Sequence, residues 1–166
     1  MPSAVAAPKA SGGPPEGYRP CVGLMLIGPD GRLFLGERLG PLQEAWQMPQ
    51  GGIDPGESPL EAARRELLEE VGTDRAELLA ESPQWYAYDL PASLIPKHWA
   101  GRWRGQSQKW FAFRFTGTDA DIDLHAHHAE FAQWRWASAD EVLRLIVPFK
   151  RPVYEAVLSE FASLLR

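Results

Sequence analysis

The sequence predicts an α/β (α+β) sandwich: a mixed central sheet with helices packed against it. Three observations carry this. Apolar, strand-like runs lie on both sides of a strongly signalled helix over residues 59–71. Several of those runs are short and alternate with period two, as half-buried strands do. An amphipathic pattern over residues 153–165 then supplies a helix at the end of the chain. The 166 residues suit one domain with room for a sizeable core, and 45% hydrophobic with 23% charged residues is the composition of a globular protein.

Residues 1–16, rich in Pro, Ala, Gly and Ser, are expected to be a disordered tail ahead of a domain over 17–166. Residues 21–27 (CVGLMLI) form an apolar strand, Pro29, Asp30 and Gly31 a turn, and residues 32–36 (RLFLG) the returning strand of a hairpin. Residues 45–50 form a short strand with Trp46 and Met48 on one face. Residues 76–90 supply one or two strands after the helix. Over residues 109–115, Phe111, Phe113 and Phe115 face one way and Ala112 and Arg114 the other; residues 131–136 alternate again. Ser138 is placed to cap a short helix over 139–145. In the last helix the apolar positions are 153, 157, 158, 161, 164 and 165.

The net charge of −5 does not announce a nucleic-acid binder, although a local basic patch can act within an acidic protein. A single cysteine, Cys21, excludes an internal disulfide, and its place in CVGLMLI marks it as a small buried residue rather than a reactive thiol. The first residues lack the apolar stretch of a signal peptide, and no run approaches the ~20 apolar residues of a membrane span. A reducing cytoplasm is the expected compartment.

The helix over 59–71 is framed by local chemistry. Asp54, Pro55 and Gly56 make a turn. Ser58 caps the helix, Pro59 takes its first position, Glu61 completes a capping box and Gly72 ends it. Leu60, Ala63, Leu67 and Val71 share one face, which is the core stripe. Glu66, Glu69 and Glu70 span an adjacent arc, their Cβ atoms roughly 5–6 Å apart. Each pair repels by about 3 kcal/mol at an effective dielectric of ~20, and by under ~1 kcal/mol in open water. Such a face is either solvated and screened, or it holds a divalent cation whose preference is for oxygen donors and phosphates.

The flanks resolve the choice. The segment reads G-x5-E-x7-R-E-L-x-E-E-x-G at Gly51, Glu57, Arg65, Glu66, Leu67, Glu69, Glu70 and Gly72. Over 51–72 it resembles the box of the Nudix hydrolases; Thr73 departs from the aliphatic residue usual at the next position. The resemblance implies a Nudix-type α/β/α sandwich with a mixed central sheet and a loop-helix-loop catalytic motif. It implies that Glu66, Glu69 and Glu70 ligate two or more magnesium or manganese ions. Glu57 and Arg65 would orient loop and helix by an ion pair, with Glu57 near a metal. The implied chemistry is hydrolysis of a diphosphate linked to a second moiety.

Five further stretches, GYRPCVG, WQMPQGGI, GQSQKWF, EFAQWRW and VPFKRPVY, resemble the bacterial RNA pyrophosphohydrolase and dinucleoside polyphosphate hydrolase subfamily over about residues 16–165. That resemblance makes Arg19 and Arg38 candidates for phosphate contacts, against an edge residue beside Pro20 and a solvated loop arginine. Glu130 becomes a further metal ligand or the base that activates water, against a plain solvated charge. Phe149 and Lys150 would meet the 5′ nucleotide, by stacking and by charge, against core packing and solvent exposure. Gln106, Gln108 and Lys109 are weaker candidates for substrate contacts, against a strand that needs only their backbone. Residues 91–105 interleave Lys97, Arg102 and Arg104 with Trp99 and Trp103, as either a polyphosphate lip or a surface loop with incidental charges. His125, His127 and His128 are expected to be solvated.

The expected reaction is metal-assisted attack of water on 5′-triphosphorylated RNA, with no covalent nucleophile, and the same site acting on dinucleoside polyphosphates. One alternative is an enzyme mainly of diadenosine tetraphosphate and pentaphosphate clearance. Another is a non-catalytic nucleotide-binding module, which would be expected to lose box acids that this chain keeps. Oligomeric state is not legible.

Overall fold

A parallel pair of long strands forms the spine of the protein. In the computed structural model, which describes residues 9–39, 45–95, 101–127 and 129–165, β2 (Tyr18–Ile27) runs parallel to β7 (Gly105–Phe115) in unbroken register from Tyr18↔Gly105 to Ile27↔Arg114. From Cys21 to Ile27 and from Trp110 to Phe113 the two strands are buried and apolar on both faces, as strands covered on two sides must be. The remaining pairings are antiparallel: β1 (Lys9–Ser11) with β6 (Ala76–Asp89), β6 with β7, β2 with β3 (Leu33–Arg38), and β3 with β4 (Trp46–Gln47) and β8 (Phe131–Ala137). The short β5 (Gln50–Gly52) pairs with the opening half of β2. The sheet is therefore mixed, as the sequence predicts.

Strand parity sorts the core into two layers. Val22, Leu24 and Leu26 of β2 join Phe111, Phe113 and Phe115 of β7 beneath α1 (Pro59–Val71), packing on Ala62, Ala63, Leu67 and Val71. Met25, Ile27, Trp110 and Ala112 face the opposite way, beneath α2 (Ala139–Leu145) and α3 (Arg151–Glu160). Each fully buried phenylalanine contributes on the order of 1.5–3 kcal/mol by leaving water, and Phe34, Phe111, Phe113 and Phe131 are all of that kind.

The structure departs from the sequence reading at three places. Part of the expected tail is ordered: Lys9–Ser11 pairs with Ala87, Tyr86 and Trp85, because β6 otherwise ends the sheet with open hydrogen bonds; residues 1–8 lie outside the described residues. The strand expected over 45–50 divides, since Met48 and Pro49 carry the chain from β3, where Gln47 pairs with Gly36, to β2, where Gln50 pairs with Gly23. Of the one or two strands expected after the helix, residues 76–89 form one, with register shifts that absorb Pro83. The last helix spans Arg151–Glu160 and ends at Phe161, a single 3₁₀ turn (Ala162–Leu165) following.

Candidate functional site

Helix α1 begins where the capping chemistry predicts. The Ser58 hydroxyl accepts from the Glu61 N–H at 3.1 Å, and the Glu61 carboxylate accepts from the Ser58 N–H at 3.2 Å. At its other end Gly72 takes φ 83° and returns its N–H to the Leu68 carbonyl; a Cβ there would also strike the Asp123 carbonyl. Thr73 is buried, and its hydroxyl accepts from the Arg75 N–H at 3.1 Å, so the departure from an aliphatic residue leaves no unpaired group.

With the helix ends set, Arg65 ties the helix to the loop before it. Its Nε and Nη2 donate to the two Glu57 carboxylate oxygens at 2.8 and 2.9 Å, a bidentate pair, and Nη2 also reaches the Gly52 carbonyl at 2.8 Å. Its Nη1 donates to Glu66 Oε1 at 2.7 Å and to Glu69 Oε2 at 3.2 Å. The expected ion pair of Glu57 and Arg65 is thus present, and it sits behind the carboxylates rather than in the cavity they line.

That cavity has a volume of about 320 Å³. Glu66, Glu69, Glu70 and Glu130 line it together with Arg19, Arg38, Phe149 and Lys150. Sequence positions more than a hundred residues apart are brought together because α1, β2, β3 and the turn before α3 all converge on the end of the sheet where β2 pairs with β5. The two glycines of β5 make this possible. A Cβ on Gly51 would land on the Glu66 carboxylate, and one on Gly52 on the Arg19 guanidinium.

Burial acts on the two kinds of charge in opposite directions. The Glu66 carboxyl is pushed up to about 7 by desolvation, with Glu69 and Glu130 adding to it and Arg65 opposing. Glu70, 5% exposed, is likewise raised by desolvation, Glu66 and Glu130, while the Gln50 N–H donating to its Oε2 at 3.1 Å works against the shift. Lys150, also 5% exposed, is pushed down to about 7 by desolvation and then by Arg38. Its ammonium donates to Gln47 Oε1 at 3.1 Å and stands 5.6 Å from the centre of the Tyr88 ring. Burial overturns the solvent-facing alternative for this lysine.

The donor set suits a hard divalent cation. All four acids offer oxygen, and two are held where isolated charge is costly, so a cation would replace the protons that burial otherwise invites. Among the described residues no three His, Cys, Asp or Glu groups already close into a metal cluster. Arg65 holds one oxygen of each of Glu66 and Glu69, and a cation would take the other oxygen of each carboxylate.

Other candidates separate by strand parity. Gln106 lines the cavity, whereas Lys109, expected at the substrate, does not; on the opposite face of β7, its ammonium lies 3.7 Å from Glu81 Oε1. Phe149 is half-buried, lining the cavity while its ring packs against Tyr88 at 5.7 Å. Arg102 lies over the Trp103 ring at 4.8 Å and Arg104 over the Tyr18 ring at 5.5 Å, so these two arginines of the loop are engaged within the chain. Lys97, Trp99 and His128 lie outside the described residues. His125 and His127 are exposed, and the Cys21 thiol is fully buried and pushed up to about 12 by desolvation.

Sequence reasoning missed Gln47, Gln50 and Tyr88. The stretch WQMPQGGI contains two of them, and two glutamines flanking Met-Pro in an otherwise buried segment are a signal for a polar partner.

Comparison with known proteins bears on this geometry. The chain matches the family described as NUDIX domain over residues 17–157. It is 54% identical over 149 residues to a protein of Rickettsia rickettsii (strain Sheila Smith) named RNA pyrophosphohydrolase, covering 90% of this chain and 92% of the relative. A relative of the same name from Rickettsia prowazekii (strain Madrid E) is 53% identical over the same shares. Among solved structures, an E. coli dihydroneopterin triphosphate pyrophosphohydrolase matches with TM-score 0.65 at 19% identity, over 84% of this chain and 95% of that one. A C. elegans Ap4A hydrolase in a binary complex matches with TM-score 0.65 at 18% identity, over 89% and 98%. These two distant likenesses concern the fold alone. The matched family spans the sheet, the capped helix and the carboxylates together, and the chain belongs to the Nudix family of hydrolases.

Proposed function

We propose that this Nudix hydrolase removes pyrophosphate from the 5′ end of triphosphorylated RNA, acts in the cytoplasm, and also cleaves dinucleoside polyphosphates. One observation carries the reading: a single cavity sets four carboxylates against Arg19, Arg38 and Lys150, with the Phe149 ring beside them. The naming of relatives 53–54% identical as RNA pyrophosphohydrolases supports it. No helix among the described residues is long and apolar enough to cross a membrane.

In this reading Arg19, Arg38 and Lys150 offset charge on the oligophosphate, most strongly as the anhydride breaks. Phe149 stacks on a base of the 5′ nucleotides, worth roughly 1–3 kcal/mol and tolerant of base identity. Water attacks phosphorus, the α–β anhydride bond breaks, and pyrophosphate leaves a 5′-monophosphate end. Glu70 or Glu130 takes the proton from that water. Glu66, Glu69, Glu70 and Glu130 would hold magnesium or manganese ions, which supply Lewis-acid polarisation and a lowered water pKa when bound. Arg65 and Glu57 hold the acid-bearing helix against the loop.

The test is kcat/KM on 5′-triphosphorylated RNA and on diadenosine tetraphosphate in one buffer, with and without chelator, with products identified. The expected result is metal-dependent release of pyrophosphate from RNA. Untouched RNA ends beside rapid cleavage of diadenosine tetraphosphate would make nucleotide clearance the function.

A further inference from the structure

The cavity is smaller than the substrate proposed for it. Its volume of about 320 Å³ suits one small ligand, and a triphosphate with its first nucleotide is already a ligand of that size. The rest of an RNA chain must leave across the rim. Lys150, set at the 5′ nucleotide in the proposed function, donates to Gln47 Oε1 at 3.1 Å. The nucleotide end of the cavity is thereby joined to β4, whose other residue is Trp46. Trp46 is half-buried and lines the cavity. From the far side of β3, Arg135 of β8 reaches over it: the register sets Trp46 opposite Glu37 and Arg135 opposite Leu35. The guanidinium carbon stands 4.8 Å from the centre of the indole ring.

This guanidinium is short of acceptors. Among the described residues Arg135 donates no hydrogen bond, and its ion partner is Glu141 Oε2 at 3.4 Å. Arg144 Nη2 approaches the same oxygen at 3.7 Å, so two guanidiniums share one carboxylate oxygen. Glu37, the register partner of Trp46, accepts instead from Gln133 at 3.2 Å. A guanidinium stacked on an indole keeps the N–H donors of its edge free, and the Arg135 side chain is 43% exposed. An aromatic ring carrying a cation, at the mouth of a phosphate cavity, is the pairing that takes single-stranded nucleic acid. Leu90 and Leu94, which follow β6 and also line the cavity, offer a polyanion no charge.

We infer that Trp46 and Arg135 form the rim over which an RNA chain leaves the cavity, the indole lying against the second nucleotide and the Arg135 guanidinium donating to the phosphodiester between the second and third. The identity of that chain as RNA rests on the function proposed above. Glu141 competes with the phosphodiester for the guanidinium. A dinucleoside polyphosphate has no phosphodiester and gains nothing from Arg135, so the rim favours a chain over a short substrate.

The test compares two substrates on the full chain, a 5′-triphosphorylated single-stranded RNA of roughly ten nucleotides and a 5′-triphosphorylated dinucleotide. In Arg135→Leu the ratio of kcat/KM between long and short substrate falls about fivefold, the upper range for a partly exposed ion pair. The slope of log kcat/KM against log salt on the long RNA shrinks by about 0.7, the signature of one lost phosphate contact on a single strand. Arg135→Lys keeps that slope and loses less of the ratio. Glu141→Gln removes the competing charge and raises the ratio about twofold. An unchanged ratio and slope in Arg135→Leu, an equal loss on both substrates, or a lowered ratio in Glu141→Gln would overturn the assignment. Should wild type leave RNA ends untouched, fluorescence anisotropy with the same oligonucleotide bearing a 5′-hydroxyl separates the two claims. Binding that weakens in Arg135→Leu then refutes the proposed substrate and keeps the rim, and binding that does not weaken refutes both.

Discussion

The two walls of the cavity are built in opposite ways. Glu66, Glu69 and Glu70 come from one 13-residue helix, spaced by its pitch and held by Arg65 from behind. The basic wall is collected from β2 (Arg19), β3 (Arg38) and the turn before α3 (Lys150). Burial works against both, raising Glu66 and Glu70 and lowering Lys150. The acidic wall answers with mutual proximity, which a divalent cation relieves. The basic wall answers with single neutral partners such as Gln47 for Lys150. A local wall is therefore expected to fail in chemistry when altered, and a long-range wall in substrate binding, with stability rising in both.

The largest effect is expected on the acidic side. Glu70→Gln keeps the acceptor for the Gln50 N–H and removes a charge that burial disfavours. Turnover should fall by about 10²–10⁴-fold, the range for loss of a proton-transfer group, while the melting temperature holds or rises. Loss of the folded state would contradict this account of the wall, since it treats the charge as a cost to folding.

The corresponding change on the basic side is Lys150→Met. Its expected loss in kcat/KM is about 10²–10³-fold, that of removing one preorganised charge from the transition state. Stability should rise by on the order of 1–3 kcal/mol, the cost of a poorly compensated buried polar group. The sign with pH follows from the lowered value. The folded protein releases the Lys150 proton near 7 and the unfolded chain near 10.5, so between those values the unfolded state binds more protons and wild-type stability climbs with pH. Below about 7 the penalty is full and constant. Urea unfolding at pH 7 and pH 10 should show that climb in wild type and a flatter profile in Lys150→Met; parallel profiles would deny that the lysine is buried as described.

Two adjacent glycines separate the walls at single-residue resolution. Gly51→Ala drives a methyl group into Glu66 and Gly52→Ala into Arg19. The first should raise the cation concentration for half-maximal activity by roughly 10–100-fold, as displaced metal-site support does. The second should raise KM for RNA by about tenfold through the weakened charged contact and leave the cation requirement alone. Identical phenotypes would mean that the walls are coupled through β5 rather than independent.

The same contrast governs how much of the protein is legible in its sequence. Helix α1, its caps and its acids can be read because every relation among Ser58, Glu61, Arg65, Glu66, Glu69, Glu70 and Gly72 is local and fixed by helical pitch. The mixed sheet can be read from alternation at Phe111, Phe113 and Phe115. What resists reading depends on partners distant in the chain. The pairing of Lys9–Ser11 requires β6, the split at Met48 and Pro49 requires β2, and the buried Lys150 has its partner in Gln47, a hundred residues earlier, whose Oε1 accepts its hydrogen bond. Gln47 and Gln50 carry no motif of their own and acquire meaning only where the sheet places them.

Strand parity yields the smallest predicted effect, and it is a sharp one. Gln106 and Lys109 lie in one strand, three residues apart, and an odd separation sends their side chains to opposite faces. Gln106 faces the cavity, while Lys109 meets Glu81 across the strand pair at 3.7 Å. That ion pair joins a largely covered lysine to a glutamate whose side chain is 52% exposed, so water screens the charge at one end and the pair is worth about 1 kcal/mol at most. Lys109→Ala should therefore leave kcat/KM on both substrate types within about twofold, with a stability change of no more than about 1 kcal/mol. A tenfold loss of activity would require the ammonium to reach the substrate, which from that face of β7 it cannot do without a one-residue slip of the strand. Such a slip would also carry Gln106 out of the cavity and Phe111 out of the core beneath α1, so kinetics on this one variant test the register of the whole strand.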